Sequence, residues 1–185
     1  MQKLKNTLTP QDRHFSAGEL VFLALMVALN VVLGLFSIQI MPEIRISVVG
    51  FVPVALAGMV SGPVYGLLVG AVGDLVNFLL INFKYGPLFP GYTLTAALSG
   101  LWYGLVLYKK ENVDWKIALL AVLPVVVLGE MVLNSVWTYI LYSKSFWAKL
   151  PLRLLTNVIE LPLKTLVLMG ITQIVRRIPK RYLKL

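Results

Sequence analysis

The chain contains no cysteine, which excludes disulfides, thiolate catalysis and Cys-based metal sites. It is poor in charge, with 14% Asp, Glu, Lys and Arg, and poorer still in acid, with 8 acidic residues against 17 basic ones. It has one histidine, His14, in a polar N-terminal stretch where a solvated role fits better than a ligand role. There is no GxxxxGK[ST] loop, so a P-loop ATP site is excluded. HExxH and GxSxG are absent too, so neither a zinc-protease helix nor a nucleophile elbow is present and catalysis has little support. No small-residue cleavage site follows the polar 1–15 stretch, so a removable signal peptide is not expected.

What fills the 185 residues is hydrocarbon: 58% of them are hydrophobic. Six apolar segments can be drawn, at about Leu20–Ile40, Val48–Val60, Val64–Ile81, Tyr92–Tyr108, Ile117–Tyr142 and Leu152–Ile178. A membrane-spanning helix needs roughly 20 residues, so the second is short and the last two are long enough to tilt. The fold expected is an all-α membrane protein. Six transmembrane helices form one compact domain, 1–185, with a polar tail at 1–15 and a basic tail at 179–185.

The net charge of +9 is a topology signal and does not mark a nucleic-acid face, because the cations gather at helix ends. Eleven of them (Lys3, Lys5, Arg13, Lys109, Lys110, Lys116, Arg176, Arg177, Lys180, Arg181 and Lys184) fall on one side. Five (Arg45, Lys84, Lys144, Lys149 and Arg153) fall on the other. That bias puts both termini in the cytoplasm of a multi-pass cell-membrane protein. The connections Ser37–Ser47, Asn82–Gly91 and Ser143–Pro151 then face outward, and their cations stand among aromatics that include Phe36, Tyr85, Phe89, Tyr92, Trp137 and Tyr142. Cations and π-faces around one mouth suit a flat, anionic, aromatic solute.

Three constellations stand out. The first is small residues at four-residue spacing: Gly58, Gly62, Gly66 and Gly70, then Gly100 and Gly104, and also Ala24 and Ala28. Such steps allow close helix packing, inside the bundle or against a partner helix. The second is Lys84–Tyr92 (KYGPLFPGY), an ordered loop able to line a cavity. The third is intramembrane polarity at Asp74, Asn77, Glu130, Asn134, Asn157, Glu160 and Lys164. Glu160 and Lys164 are spaced for an ion pair. Arg153 and Asn157, with Asn134 and Trp137, can build one polar wall with a stacking face, although Trp137 also suits a membrane-interface belt.

The stretches RISVVGFVPVALAGMVSGPVYGLLVGAVGDL, GPLFPGYTLTAALSGLWYGL, NSVWTYILY and LPLRLLTNVIELPLK resemble the folate family of substrate-binding S components. These belong to energy-coupling factor (ECF) vitamin transporters, and the resemblance covers about residues 16–178. It implies a non-enzymatic six-helix receptor that captures folate outside and docks on a transmembrane coupling subunit and two ATPase subunits. It also implies delivery by toppling of the whole S component, with no cofactor in this chain. Ala24 and Ala28 match the Ala-xxx-Ala pair with which such helices meet the coupling subunit, and Ser37–Ser47 would gate the pocket. Folate's two carboxylates need Arg or Lys, its rings need aromatic walls, and its pterin edge needs donors and acceptors. The expected site is therefore Arg45, Arg153 and Lys84 for charge, Phe89, Tyr92 and Trp137 for the rings, and Asn134 and Asn157 for the edge. No metal ligands are expected. The alternatives are an S component for another water-soluble vitamin, such as pantothenate or thiamine, or a stand-alone secondary carrier.

Overall fold

The computed structural model describes residues 16–41, 44–85, 87–110, 112–142 and 146–177. The 1–15 and 178–185 tails lie outside the described residues, so the expectation about their side of the membrane does too. Helix α1 (Ala17–Gly34) starts on a capping box, in which Glu19 N–H donates to Ser16 Oγ at 3.2 Å and Ser16 N–H donates to Glu19 Oε2 at 2.9 Å. A two-stranded antiparallel ribbon follows, β1 (Ile38–Met41) and β2 (Ile44–Ile46), with Ile38 opposite Ile46 and Gln39 opposite Arg45. Helices α2 (Val52–Ser61), α3 (Pro63–Leu80) and α4 (Pro90–Leu107) come next, with a 3₁₀ turn at Asn82–Tyr85 between the last two. Helix α5 (Trp115–Pro124) runs through a wide π-helical segment, Val125–Leu133, into α6 (Asn134–Tyr142), and α7 (Phe146–Arg177) closes the order.

Among the described residues, four spans are long and apolar enough to cross a membrane: Ala17–Gly34, Pro63–Leu80, Trp115–Leu141 and Leu150–Val175. Val52–Ser61 is apolar but short. The exposure pattern agrees with a lipid solvent. Val158 is 69% and Leu79 66% exposed, whereas Asn77, Thr95, Arg153, Asn157, Glu160 and Lys164 are all buried. Without water outside, polar groups gain by turning inward.

The expected boundaries need three corrections. The first apolar segment does not stay helical to Ile40. Helix α1 ends at Gly34 and the chain becomes a ribbon where a plain loop was expected. Ile38-Gln39-Ile40 and Ile44-Arg45-Ile46 alternate with period two, and β-branched residues favour strands over helices. The second segment begins at Val52, with Pro53 in the first turn where its missing N–H is harmless. The fifth is interrupted at Pro124, which cannot donate to the carbonyl of Leu120 four residues back. Trp102 Nε1 donates to that freed oxygen at 3.2 Å, so a neighbouring helix satisfies what proline leaves open.

The glycines pack inside the bundle. A Cβ on Gly66 would lie 2.3 Å from the Gly100 carbonyl oxygen, and one on Gly100 would lie 2.0 Å from the Gly66 oxygen. A Cβ on Gly104 would meet Pro63 Cα at 2.3 Å. Backbones of α2, α3 and α4 therefore touch directly, as small-residue steps permit. Gly62, at φ 111°, makes the turn between α2 and α3, a conformation that glycine alone adopts cheaply.

Both described ends of the chain lie on one side of the bundle. Tyr65 OH donates to Glu19 at 2.8 Å, joining the starts of α1 and α3, and the end of α4 meets Pro63. Leu107, Ala118 and Leu168 share one buried cluster, which brings the start of α5 and the last turns of α7 to the same side. The ribbon and the 82–89 connection stand at the other side.

Substituting Gly100 by Ala should destabilise the bundle by about 1–3 kcal/mol, the usual range for overpacking. Gly170 has open space around its Cα, so Gly170→Ala should be neutral or stabilising. Thermal unfolding in detergent measures both, and equal melting temperatures would contradict the close contact.

Candidate binding cavity

One cavity of about 340 Å³ opens at the side that carries the ribbon and the 82–89 connection. Its walls come from every helix but α5, together with the π segment and the 47–51 connection. Along α4 the lining runs Tyr92, Thr95, Ser99 and Tyr103; along α7 it runs Arg153, Thr156, Asn157, Glu160 and Lys164. From Arg153 to Lys164 is three helical turns, about 16 Å at the α-helical rise. The cavity is a shaft reaching toward the middle of the bundle.

Near the mouth, Phe89 and Trp137 have ring centroids 5.7 Å apart and Phe89 and Tyr92 6.0 Å apart. Trp137 Nε1 donates to Thr95 Oγ1 at 3.0 Å, which orients the indole. Tyr92 OH lies 3.1 Å from Thr138 Oγ1. Arg153 is buried, and its Nη2 donates to Thr138 Oγ1 at 2.9 Å and its Nη1 to Ser135 Oγ at 3.3 Å. Thr138 in turn donates to the Asn134 carbonyl at 2.7 Å, so a chain of hydroxyls ties the guanidinium to α6. Asn134 and Asn157 line the same cavity, and the buried Oδ1 of the first and Nδ2 of the second have no hydrogen-bond partner among the described residues. Asp74 also lines it and accepts from Thr93 Oγ1 at 2.7 Å.

Six of the eight residues expected to bind a solute therefore meet here: Phe89, Tyr92, Asn134, Arg153 and Asn157 in the lining, and Trp137 packed behind Phe89. Arg45 lies in β2 and Lys84 in the 3₁₀ turn; the side chains of both lie outside the described residues. Ala24 and Ala28 sit elsewhere, in an apolar groove between α1 and α3 whose walls include Leu23, Val27, Leu68 and Val72.

The floor of the shaft was only half anticipated. The expected Glu160–Lys164 ion pair forms, and Lys164 Nζ also donates to both oxygens of Glu130, at 2.6 and 2.7 Å. Glu130 is 34 residues from Lys164 in sequence, so no local spacing announces the contact. Glu160 Oε1 accepts the backbone N–H of Ser47 at 2.9 Å, tying the end of the ribbon to α7. Asn77 was recognised as polar, but its partner was not. Its Nδ2 donates to Asn30 Oδ1 at 2.5 Å, and Asn30 Nδ2 donates to the Gly50 carbonyl at 2.8 Å. Asn30 sits in an unbroken apolar run and could have been flagged by that alone.

Residues 19–172 match the family model for the substrate-specific component of ECF transporters. The chain belongs to this family. As an ECF substrate-specific component it is a transport subunit rather than an enzyme, as its lack of catalytic motifs led us to expect. The chain is 36% identical over 160 residues to the folate transporter FolT of Clostridium novyi, covering 86% of this chain and 90% of that one. It is 30% identical over 170 residues to FolT of Streptococcus mutans, with 89% and 90% covered. A crystal structure of FolT bound with folic acid has a similar fold, with a TM-score of 0.77 and 31% identity over 86% of this chain and 95% of that one.

Within this ECF component, removing Lys164 would leave the buried Glu160 carboxylate and the partly buried Glu130 carboxylate without their cation. Lys164→Met should cost about 3–5 kcal/mol, the usual penalty for breaking a buried pair from one side. Calorimetric unfolding of the purified chain checks this, and an unchanged melting temperature would mean that the triad is not structurally coupled.

Proposed function

We propose that this chain is the folate-capturing subunit of an ECF importer. The observation that supports it most is the likeness in fold and sequence to a FolT chain solved with folic acid, combined with a cavity whose chemistry suits that molecule. Folic acid pairs a dicarboxylate tail with two ring systems and a polar heterocycle edge. Arg153, joined by Arg45 and Lys84 from the mouth, supplies the cations for the tail, and a guanidinium can grip a carboxylate bidentately. Phe89, Tyr92 and Trp137 supply ring faces, worth about 0.5–1.5 kcal/mol per aromatic pair beyond burial. Asn134 and Asn157 hold polar atoms that a ligand can pair, and satisfying such buried atoms favours the matching ligand.

The lysine and arginine bias of the loops supports cytoplasmic termini, which turns the cavity outward. The apolar groove at Ala24 and Ala28 is the proposed seat of the transmembrane coupling subunit. ATP is hydrolysed on two separate ATPase subunits, and the chain needs no cofactor of its own. Toppling of the whole component then carries the loaded cavity across the bilayer.

Calorimetric titration of the purified chain with folic acid should show saturable binding, with quenching of tryptophan fluorescence. Arg153→Gln should weaken folic acid by about 10- to 100-fold, the loss of a charge-assisted contact of about 1.5–3 kcal/mol. It should barely affect 6-hydroxymethylpterin, which has no carboxylate. Equal losses for the two compounds would remove Arg153 from the tail site. Ala28→Trp should leave binding intact and abolish uptake in cells that carry the coupling module; a parallel fall in binding would contradict the docking role. The chain alone in liposomes should not transport, whereas a secondary carrier would.

A further inference from the structure

The groove between α1 and α3 is walled by hydrocarbon alone: Leu23, Ala24, Val27 and Ala28 face Leu68 and Val72. In lipid such walls do not set their own spacing, because an apolar side chain gains little by leaving an acyl chain for another side chain. The directional contacts between the two helices stand at the two ends of the groove. At the foot, Tyr65 OH, in the first turn of α3, donates to Glu19 Oε1 at 2.8 Å, and Ser16 N–H holds the other Glu19 oxygen at 2.9 Å. At the top, Asn77 Nδ2 donates to Asn30 Oδ1 at 2.5 Å, and Asn30 Nδ2 donates to the Gly50 carbonyl at 2.8 Å. Glu19, Asn30 and Asn77 are all buried. Two glycines make room for the upper contact. A Cβ on Gly73 would lie 2.8 Å from Asn30 Oδ1, and one on Gly34 would lie 2.3 Å from Asn77 Oδ1.

The two contacts are matched in spacing. Glu19 to Asn30 on α1 and Tyr65 to Asn77 on α3 each cover about 16–18 Å at the α-helical rise, so the helices run parallel and in register between them. Ala24 and Ala28 fall inside that interval. The groove lies within the spans Ala17–Gly34 and Pro63–Leu80, so whatever fills it comes from the bilayer, and a substrate-specific component is one part of a larger transporter. We infer that Tyr65 and Asn77 are positioning residues for docking: the hydrogen bonds they donate clamp α3 to α1 at both ends and hold the groove at the width that receives an apolar helix of the coupling subunit. This rests on the docking role proposed for Ala24 and Ala28 and deepens it. A groove already held in its bound shape has less freedom to lose when a partner seats, which favours association.

The test uses the lower clamp, because Asn30 and Asn77 also line the cavity. The chain has no cysteine, so Leu25→Cys with Leu75→Cys places spin labels on α1 and α3 alone. Distances measured in the full-length chain in nanodiscs should form one narrow distribution, and Tyr65→Phe should broaden it. Tyr65→Phe should keep folic-acid binding within about twofold of the parent, as expected for a site remote from the cavity. Its affinity for the purified coupling subunit should fall at least about fivefold. Glu19→Gln keeps an oxygen for Tyr65 and the N-terminal cap, so it should dock like the parent, which a direct charge contact with the partner would not allow. An unchanged distance distribution or full docking in Tyr65→Phe overturns the inference, as does loss of docking in Glu19→Gln. If Ala28→Trp still abolishes docking in that case, the docking role of the groove stands without the clamps. Failure of the parent to bind the coupling subunit leaves the groove to lipid and removes both.

Discussion

A polar side chain in a hydrocarbon solvent has no water to turn to, so it must find its partners inside the protein. In this chain that constraint gathers the carboxylates of Glu130 and Glu160 on one ammonium, Lys164, and much else follows from the meeting. It joins α7 to the π segment, and through the Ser47 N–H it joins both to the ribbon. The same inward turn brings Arg153, Asn134 and Asn157 to one shaft. The site is a place where many of the buried polar groups of the bundle collect.

Two backbone devices make room for that shaft. On one side, α2, α3 and α4 are drawn together until glycine backbones touch, which gives the cavity a closely packed wall. On the other, proline at 124 breaks the regular ladder, and the wide turns from Val125 to Leu133 carry Glu130 into the interior. Both halves contribute lining side chains, Asp74, Tyr92 and Thr95 from the closely packed helices and Glu130 and Asn134 from the loosened one. Short π segments in helices often accompany functional positions, and this one carries the carboxylate nearest the cavity floor.

The apolar groove at Ala24 and Ala28 lies on the tight half, away from the cavity mouth. The cavity and the apolar groove therefore open on different faces. Membership of the ECF family is consistent with such a division, since the chain is one component of a larger transporter.

The sequence alone established a six-segment apolar chain, the helical limits of Pro63–Leu80 and Pro90–Leu107 to within two residues, and the Glu160–Lys164 pair. These depend on composition, on local punctuation by Pro and Gly, and on spacing within one helix. It also named Arg153, Asn134 and Asn157 as polar residues in apolar runs, which are legible because lipid makes them costly. The ribbon was visible only as an alternation of isoleucines, and a seven-residue pattern competes poorly with a long apolar run. Tertiary structure alone decided that Glu130 completes the triad, that Asn30 pairs with Asn77, that Trp102 caps the carbonyl freed by Pro124, and that Tyr103 floors the cavity. Each of those contacts joins residues far apart in the chain. Their pairing depends on how helices rotate against one another, and that rotation is set by packing between whole surfaces rather than by any local run of residues.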